Sequence, residues 1–157
     1  MLLQKMVGKL WRRTPARLRR FAVRLTQPRF RVTVGAVVVA DEGRRVLLLK
    51  HVLRWGSGWG IPGGFLERGE HPEQAVRREL REEAGLELED ARVAFARQLK
   101  KIDQIEIVFL CRPHGGEAVA VTPRSLEIID AAWFAVNALP ADLGATQRRL
   151  IERALSA

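Results

Sequence analysis

The sequence predicts a mixed α/β (α+β) domain with helices packed on a sheet, preceded by a basic helical arm. Three observations carry that expectation. The run Val32–Val39 is β-branched and apolar on both faces, as a central strand must be. Helical patterns at 72–84 and 145–156 come late, inserted among and after strands that follow one another as hairpins. The charge is also lopsided: residues 1–31 hold ten Lys or Arg and no acid, so a net charge of +9 leaves about −1 for everything after Arg31.

A length of 157 residues fits one domain with a short appendage, here an arm at 1–29 and a main domain at 30–157. With 47% apolar and 29% charged residues, the chain can bury a core and is not disordered. Its longest apolar runs, such as Val34–Ala40, are too short to cross a bilayer. A single cysteine, Cys111, excludes an internal disulfide framework, and no Cys/His cluster has zinc-site spacing. A reducing, cytoplasmic setting is expected.

In the arm, Thr14-Pro15 predicts an N-cap followed by proline at the first helical position. Leu18, Phe21, Ala22 and Leu25 then form one apolar stripe flanked by Arg17, Arg19, Arg20 and Arg24. Leu3, Met6 and Leu10 predict a further helical turn or two before it. Four readings are open: a helix docked on the domain, an amphipathic helix peripheral at an anionic membrane surface, an RNA contact through residues 1–31, or a targeting peptide. A secretory signal is not expected, for the stretch has no apolar h-region.

In the main domain, Asp41-Glu-Gly43 predicts a turn and Arg45–Lys50 a returning strand. A glycine- and tryptophan-rich loop, Trp55–Gly60, leads into Ile61-Pro-Gly-Gly64. Residues 72–84 are helical by pattern, with Gly85 as a left-handed C-cap. Strands are expected at 91–100 and 104–112 around a turn at Ile102-Asp103, then a loop at 114–116, a short strand at 131–135 and a final helix at 145–156.

The informative stretch runs from Gly64 to Leu86 and holds six carboxylates between Glu67 and Glu83. At roughly 100° per residue, with Val76 at zero, Leu80 and Ala84 fall near +40° and +80° and form the core stripe. On the same scale, Glu83 lands roughly at −20°, Glu79 at −60° and Glu82 at −120°. A solvated face would hold its acids opposite the apolar side; here two acids crowd its edge. Like charges at i, i+4 repel, and more so when half-buried. Arg78 can pair with one of them, Glu70 being the expected partner. A hard divalent cation can neutralise the others, and an all-oxygen set favours Mg2+ or Mn2+ over zinc. The plainer alternative is an ordinary charged amphipathic helix.

The same stretch resembles the Nudix box of the Nudix hydrolases. Gly64, Glu70, Arg78, Glu79, Leu80, Glu82, Glu83, Gly85 and Leu86 fill its nine fixed positions at the family's spacing. Trp59-Gly-Ile-Pro-Gly-Gly64 before it, and Glu127-Ile128, Trp133-Phe134 and Leu139-Pro140 after it, extend the resemblance over residues 32–140. The resemblance implies an α/β/α sandwich around a mixed sheet and Mg2+-dependent hydrolysis of a diphosphate linkage in a nucleoside diphosphate derivative or nucleoside triphosphate. It implies Glu79, Glu82, Glu83 and the Gly63 carbonyl as metal ligands. Glu79, Arg78 and Glu127 make up the catalytic set, with Glu127 favoured as general base over Glu79 or a metal-bound hydroxide. Glu70, Gly64 and Gly85 are structural, Glu70 fixing the loop against the helix through Arg78. Lys50, His51, Arg54, Trp55 and Gly64 are candidate substrate contacts.

Markers of particular substrates are absent. The chain has no tyrosine, as dinucleoside polyphosphate enzymes require, and no proline near residue 102, as ADP-ribose enzymes tend to carry. The proline-and-tryptophan motif of NADH enzymes and the upstream motif of coenzyme A enzymes are missing too. The leading expectation is a pyrophosphohydrolase of small nucleotides. Its rivals are an RNA 5′-end pyrophosphohydrolase that uses the basic arm, and a nucleotide-sensing regulatory module. A homodimer is a default carried by the resemblance alone.

Overall fold

The computed structural model of the chain describes residues 2–27, 29–54 and 56–157, and for residues 2–5 it describes the backbone. The chain divides into two compact units, Met1–Phe30 and Arg31–Ala157. The first holds two helices, α1 (Leu2–Arg13) and α2 (Ala16–Thr26). The second holds strands β1 (Arg31–Ala40), β2 (Arg45–His51), β3 (Trp59–Gly60), β4 (Gly63–Phe65), β5 (Leu88–Leu99), β6 (Gln104–Pro113) and β7 (Ile128–Ala135), with helices α3 (Pro72–Ala84) and α4 (Ala145–Leu155).

The strands form one mixed sheet in the order β3-β2-β1-β6-β5, with β4 also pairing β1 and β7 also pairing β2. β1 is its axis. It runs parallel to β6 from Arg31↔Gln104 to Val38↔Cys111, antiparallel to β4 at Thr33–Gly35, and antiparallel to β2 at Val39 and Ala40. The period of two explains why this strand is apolar throughout. Val34, Ala36 and Val38 pack on one face with Ala75, Val76, Leu80 and Ala84 of α3. Val37 packs on the other with Leu150, Ile151 and Ala154 of α4. β2 divides likewise, Leu47 and Leu49 toward α3, Val46 and Leu48 toward α4. A helix on each face of a mixed sheet is the expected α/β/α sandwich.

The local differences have physical causes. The hairpin at 41–45 forms, but β2 meets β1 at two residues only, while β7 pairs along its other edge from Arg45↔Ala135 to Lys50↔Asp130. β7 therefore starts at Ile128, earlier than its apolar run suggests. Thr14 does not cap α2, because its Oγ1 donates backward to Leu10 O at 2.9 Å and closes α1 instead. α1 itself is longer than the expected turn or two. α3 carries an unexpected cap: His71 Nδ1 accepts from Glu73 N at 3.4 Å, while Gln74 Oε1 accepts from His71 N at 3.0 Å, a reciprocal capping box built on a histidine. Gly85 ends the helix at φ 65°, as its sequence position predicts.

The cap is separable from the core. Replacing His71 by Ala should cost about 0.5–1 kcal/mol in urea unfolding, and Ser at the same position should restore it. Equal stability of the Ala and Ser variants would show that the ring contributes nothing as a cap.

Candidate functional site

β4 brings Gly63 and Gly64 alongside β1, and the loop from Leu66 to His71 then carries the chain into α3. Arg78 ties these pieces together. Its Nε and Nη2 donate to Glu70 Oε1 and Oε2 at 2.9 and 3.1 Å, and Nη2 also donates to Phe65 O at 3.0 Å. Nη1 donates to Glu79 Oε1 at 2.8 Å and to Glu82 Oε2 at 3.2 Å. The Glu70 pairing is the expected one. The guanidinium goes further and serves three carboxylates, where the sequence suggested it would satisfy one. These contacts hold Glu70 below the usual carboxylate range and raise the pKa of Arg78 itself.

Glu83 is the acid that Arg78 does not reach. It is only 6% exposed, inside the apolar stripe where its helical angle placed it. Among the described residues, its one side-chain hydrogen bond comes from Gly63 N to Oε2, at 3.1 Å. Burial pushes its pKa up to about 7, helped by the charges of Glu79 and Glu127 and opposed by the Gly63 amide and Arg54. Burial also raises Glu79, against the pull of Arg78. Two glycines make the approach feasible. Gly63 has φ 147°, and a Cβ there would lie 2.2 Å from Val34 O. A Cβ on Gly64 would lie 2.3 Å from Glu79 Oε1.

Two cavities meet at Glu127. One, of about 340 Å³, brings together Gly63, Gly64, Arg78, Glu79, Glu82, Glu83 and Glu127, with Ser125 and Glu67, which the sequence did not single out. The other, of about 420 Å³, is lined by His51, Leu53, Arg54 and Glu127. Arg54 lies over Gly60, where a Cβ would collide with its Nη1, and beside Gln147 of α4. Its Nη1 and His51 Nε2 are buried without a hydrogen-bond partner among the described residues. Burial, then Arg54, pushes His51 down to about 4, so its ring is neutral at neutral pH. Lys50 lines neither cavity; its ammonium sits 5.8 Å from the centre of the Trp59 ring. Trp55 lies outside the described residues. Glu106 forms an ion pair with Arg97 across β5 and β6.

The donor set suits a hard divalent cation. It is all oxygen, it includes a buried carboxylate short of positive partners, and Gly64 leaves open the space a side chain would fill. As arranged here, Glu79 and Glu82 turn to Arg78, and among the described residues no three His, Cys, Asp or Glu side chains close into a ligand cluster.

A family model described as the NUDIX domain matches residues 29–154. The chain is 31% identical to a solved MutT NUDIX hydrolase from Burkholderia pseudomallei, covering 80% of this chain and 98% of that one, with a TM-score of 0.63. It is also 31% identical over 110 residues to the NAD-capped RNA hydrolase NudC of Chromobacterium violaceum, covering 70% of this chain and 40% of that protein. The 8-oxo-dGDP phosphatase NUDT18 of Homo sapiens is 35% identical over 121 residues, 74% of this chain and 37% of that protein. The chain thus spans less than half the length of these two curated relatives. The fold and the enzyme class of the matched proteins are those the sequence implied.

The buried Glu83 has a measurable consequence. Its pKa is about 7 in the folded chain against an ordinary 4.5, so the folded state binds this proton more tightly. Stability therefore falls as pH rises from about 4.5 to about 7 and stays at the lower level above that. His51, lowered from 6.5 to about 4, acts oppositely over its own window, with stability lost as pH falls through it. Comparing the wild-type chain with Glu83→Gln isolates the carboxylate. In chelator the variant should match wild type near pH 4.5 and exceed it by on the order of 3 kcal/mol at pH 8 in urea unfolding. Added Mg2+ should narrow the gap. A difference independent of pH would exclude a destabilising charge on Glu83.

Proposed function

The chain belongs to the NUDIX domain family, and from that we propose that it hydrolyses a diphosphate linkage in a nucleoside diphosphate derivative or nucleoside triphosphate, with Mg2+ or Mn2+ as its metal. The observation that carries this reading is the buried, under-neutralised Glu83 beside Glu79 and Glu127, facing a glycine pair cleared of side chains. Glu79, Glu82, Glu83 and the Gly63 carbonyl would hold the metal. A metal held there would supply charge neutralisation for the diphosphate and lower the pKa of the attacking water.

The chain's own residues do the rest. Arg78 holds Glu79 and Glu82 on its Nη1 and anchors the loop through Glu70 and Phe65, so the ligand carboxylates keep their places. Glu127, on the wall shared by both cavities, accepts the proton of the attacking water. Arg54 offers its unpartnered Nη1 to a phosphate oxygen in the adjoining cavity. The ring of His51, neutral at neutral pH, adds no positive charge beside Arg54 and leaves Nε2 open to a hydrogen bond. Its single cysteine, Cys111, is buried in the core with its thiol pushed up to about 12, which fits a reducing, cytoplasmic compartment.

A second reading, in which the diphosphate is a cap on RNA, is favoured by the relatives named as NAD-capped RNA hydrolases. Against it stands the missing proline-and-tryptophan motif of NADH enzymes. A screen with Mg2+ over nucleoside triphosphates, nucleotide sugars, 8-oxo-dGDP, 5′-triphosphate RNA and NAD-capped RNA separates the readings, with Glu83→Gln as control. Small-nucleotide turnover that falls by about 10²-fold or more in the variant supports the first. Cleavage confined to the RNAs moves the substrate to RNA, and nucleotide binding without turnover leaves a sensor.

The two cavities should also separate kinetically. Arg54→Ala should raise KM about tenfold with a small change in kcat, because the guanidinium binds phosphate in ground and transition states alike. Glu127→Gln should lower kcat by about 10²–10⁴-fold with KM nearly constant. Equal effects of the two variants on both constants would contradict this division.

A further inference from the structure

We infer that residues 2–27 form a docking surface that lies in the plane of an anionic membrane. The proposed hydrolysis uses no residue of this segment, and the inference stands independently of it.

Both helices separate apolar from basic side chains around their axes. On α2, at roughly 100° per residue, Leu18, Phe21 and Ala22 lie within about 60° of Leu25, whereas Arg17, Arg19, Arg20 and Arg24 lie about 80–140° away. On α1, Met6 and Val7 lie within roughly 60° of Leu10, and Trp11 and Lys9 stand at opposite borders roughly 100° away. Arg12 is on the far side, and Arg13, the last residue of the helix, lies at the edge of the apolar arc. Within the first unit nothing covers these apolar faces: Leu10 is 72% exposed, Phe21 61% and Leu25 69%, and α2 buries no residue. Isolated exposed leucines are ordinary, but an aligned row on two successive helices marks a contact surface.

The charge says what covers it. Ten basic side chains and no acid stand in residues 1–31, so the arm of a second copy would be repelled. RNA would satisfy the arginines yet leave Leu10, Phe21 and Leu25 in water. An anionic lipid surface satisfies both faces: the apolar row enters the acyl boundary, and the arginine heads snorkel to the phosphates at the flanks. At 12 and 11 residues, α1 and α2 are too short to cross a bilayer, so an in-plane position is the one open to them. Trp11, at the border of the apolar and basic arcs, occupies the level where tryptophan is favoured in membranes.

The test is co-sedimentation of the full-length chain with vesicles of phosphatidylglycerol and phosphatidylcholine in equal parts, with pure phosphatidylcholine as reference. Binding of a single-stranded oligoribonucleotide is measured in parallel. Wild-type chain should pellet with the anionic vesicles and stay in solution with the zwitterionic ones. Phe21→Ser with Leu25→Ser should cut the bound fraction about tenfold while leaving oligoribonucleotide binding unchanged. The milder Phe21→Ala with Leu25→Ala should lose binding in the same direction, and unaltered thermal unfolding of the main domain will show that both variants are folded. Equal pelleting of wild type and variants, or none by any of them, would overturn the inference. Oligoribonucleotide binding in the absence of vesicle binding would give the arm to RNA instead.

Discussion

One guanidinium decides the geometry of the site. Arg78 reaches from the middle of α3 to Glu70 with two nitrogens, to the Phe65 carbonyl, and to Glu79 and Glu82. It therefore fixes the loop between β4 and α3 from inside while holding two acids of the helix. A lysine, with one ammonium on a flexible stem, could not reproduce that planar fork. The loop also brings its own order, through His71 capping α3 and the Glu67 amide bonding Glu70 at 3.1 Å. Yet only Arg78 couples loop, strand end and helix in a single residue.

That arrangement sets how charge is distributed around the cavity. With Glu70, Glu79 and Glu82 engaged, the positive charge of Arg78 is consumed, and Glu83 is left against the sheet with one amide for company. Burying a carboxylate on such terms is unfavourable unless it takes a proton or a cation. Arg54 is the mirror case: a half-buried guanidinium with a free Nη1, its pKa lowered by burial and raised again by Glu83 and Glu106. One cavity thus lacks a cation and its neighbour lacks an anion, with Glu127 on the wall between them. A metal complex of a diphosphate supplies both at once, and this complementarity is stronger than either deficit alone.

Much of this was legible in the sequence because its determinants are local. The bounds of α3, the C-cap at Gly85, the burial of Glu83 and the pairing of Arg78 with Glu70 all follow from spacing within one short stretch. So does the two-faced character of β1, since a strand covered by α3 and α4 must be apolar at successive positions. What was not legible depends on distant contacts. Gln147 of α4, whose Oε1 accepts from Ile61 N at 3.0 Å, reaches the site's edge from far along the chain with no motif to announce it. The pairing of β2 with β7 along its whole length is set by a strand far along the chain. His71 as a cap was missed for a different reason: an imidazole nitrogen accepts an amide hydrogen as an oxygen does, but capping patterns are written for Ser, Thr, Asp and Asn.

The two units of the chain also differ in the kind of surface they can approach. After Arg31 the charge is nearly balanced, and the acids concentrated at the site keep anionic molecules out until a cation intervenes. The first unit carries nearly all the excess positive charge and an exposed apolar row on each of its helices, and it needs no metal to meet an anionic surface. Segregating these properties resolves a conflict. Nine basic side chains spread over the second unit would pair with the carboxylates proposed to hold metal, as Arg78 already does with two of them. Confined to an arm before the first strand, they leave Glu83 short of a partner, which is the condition the site requires.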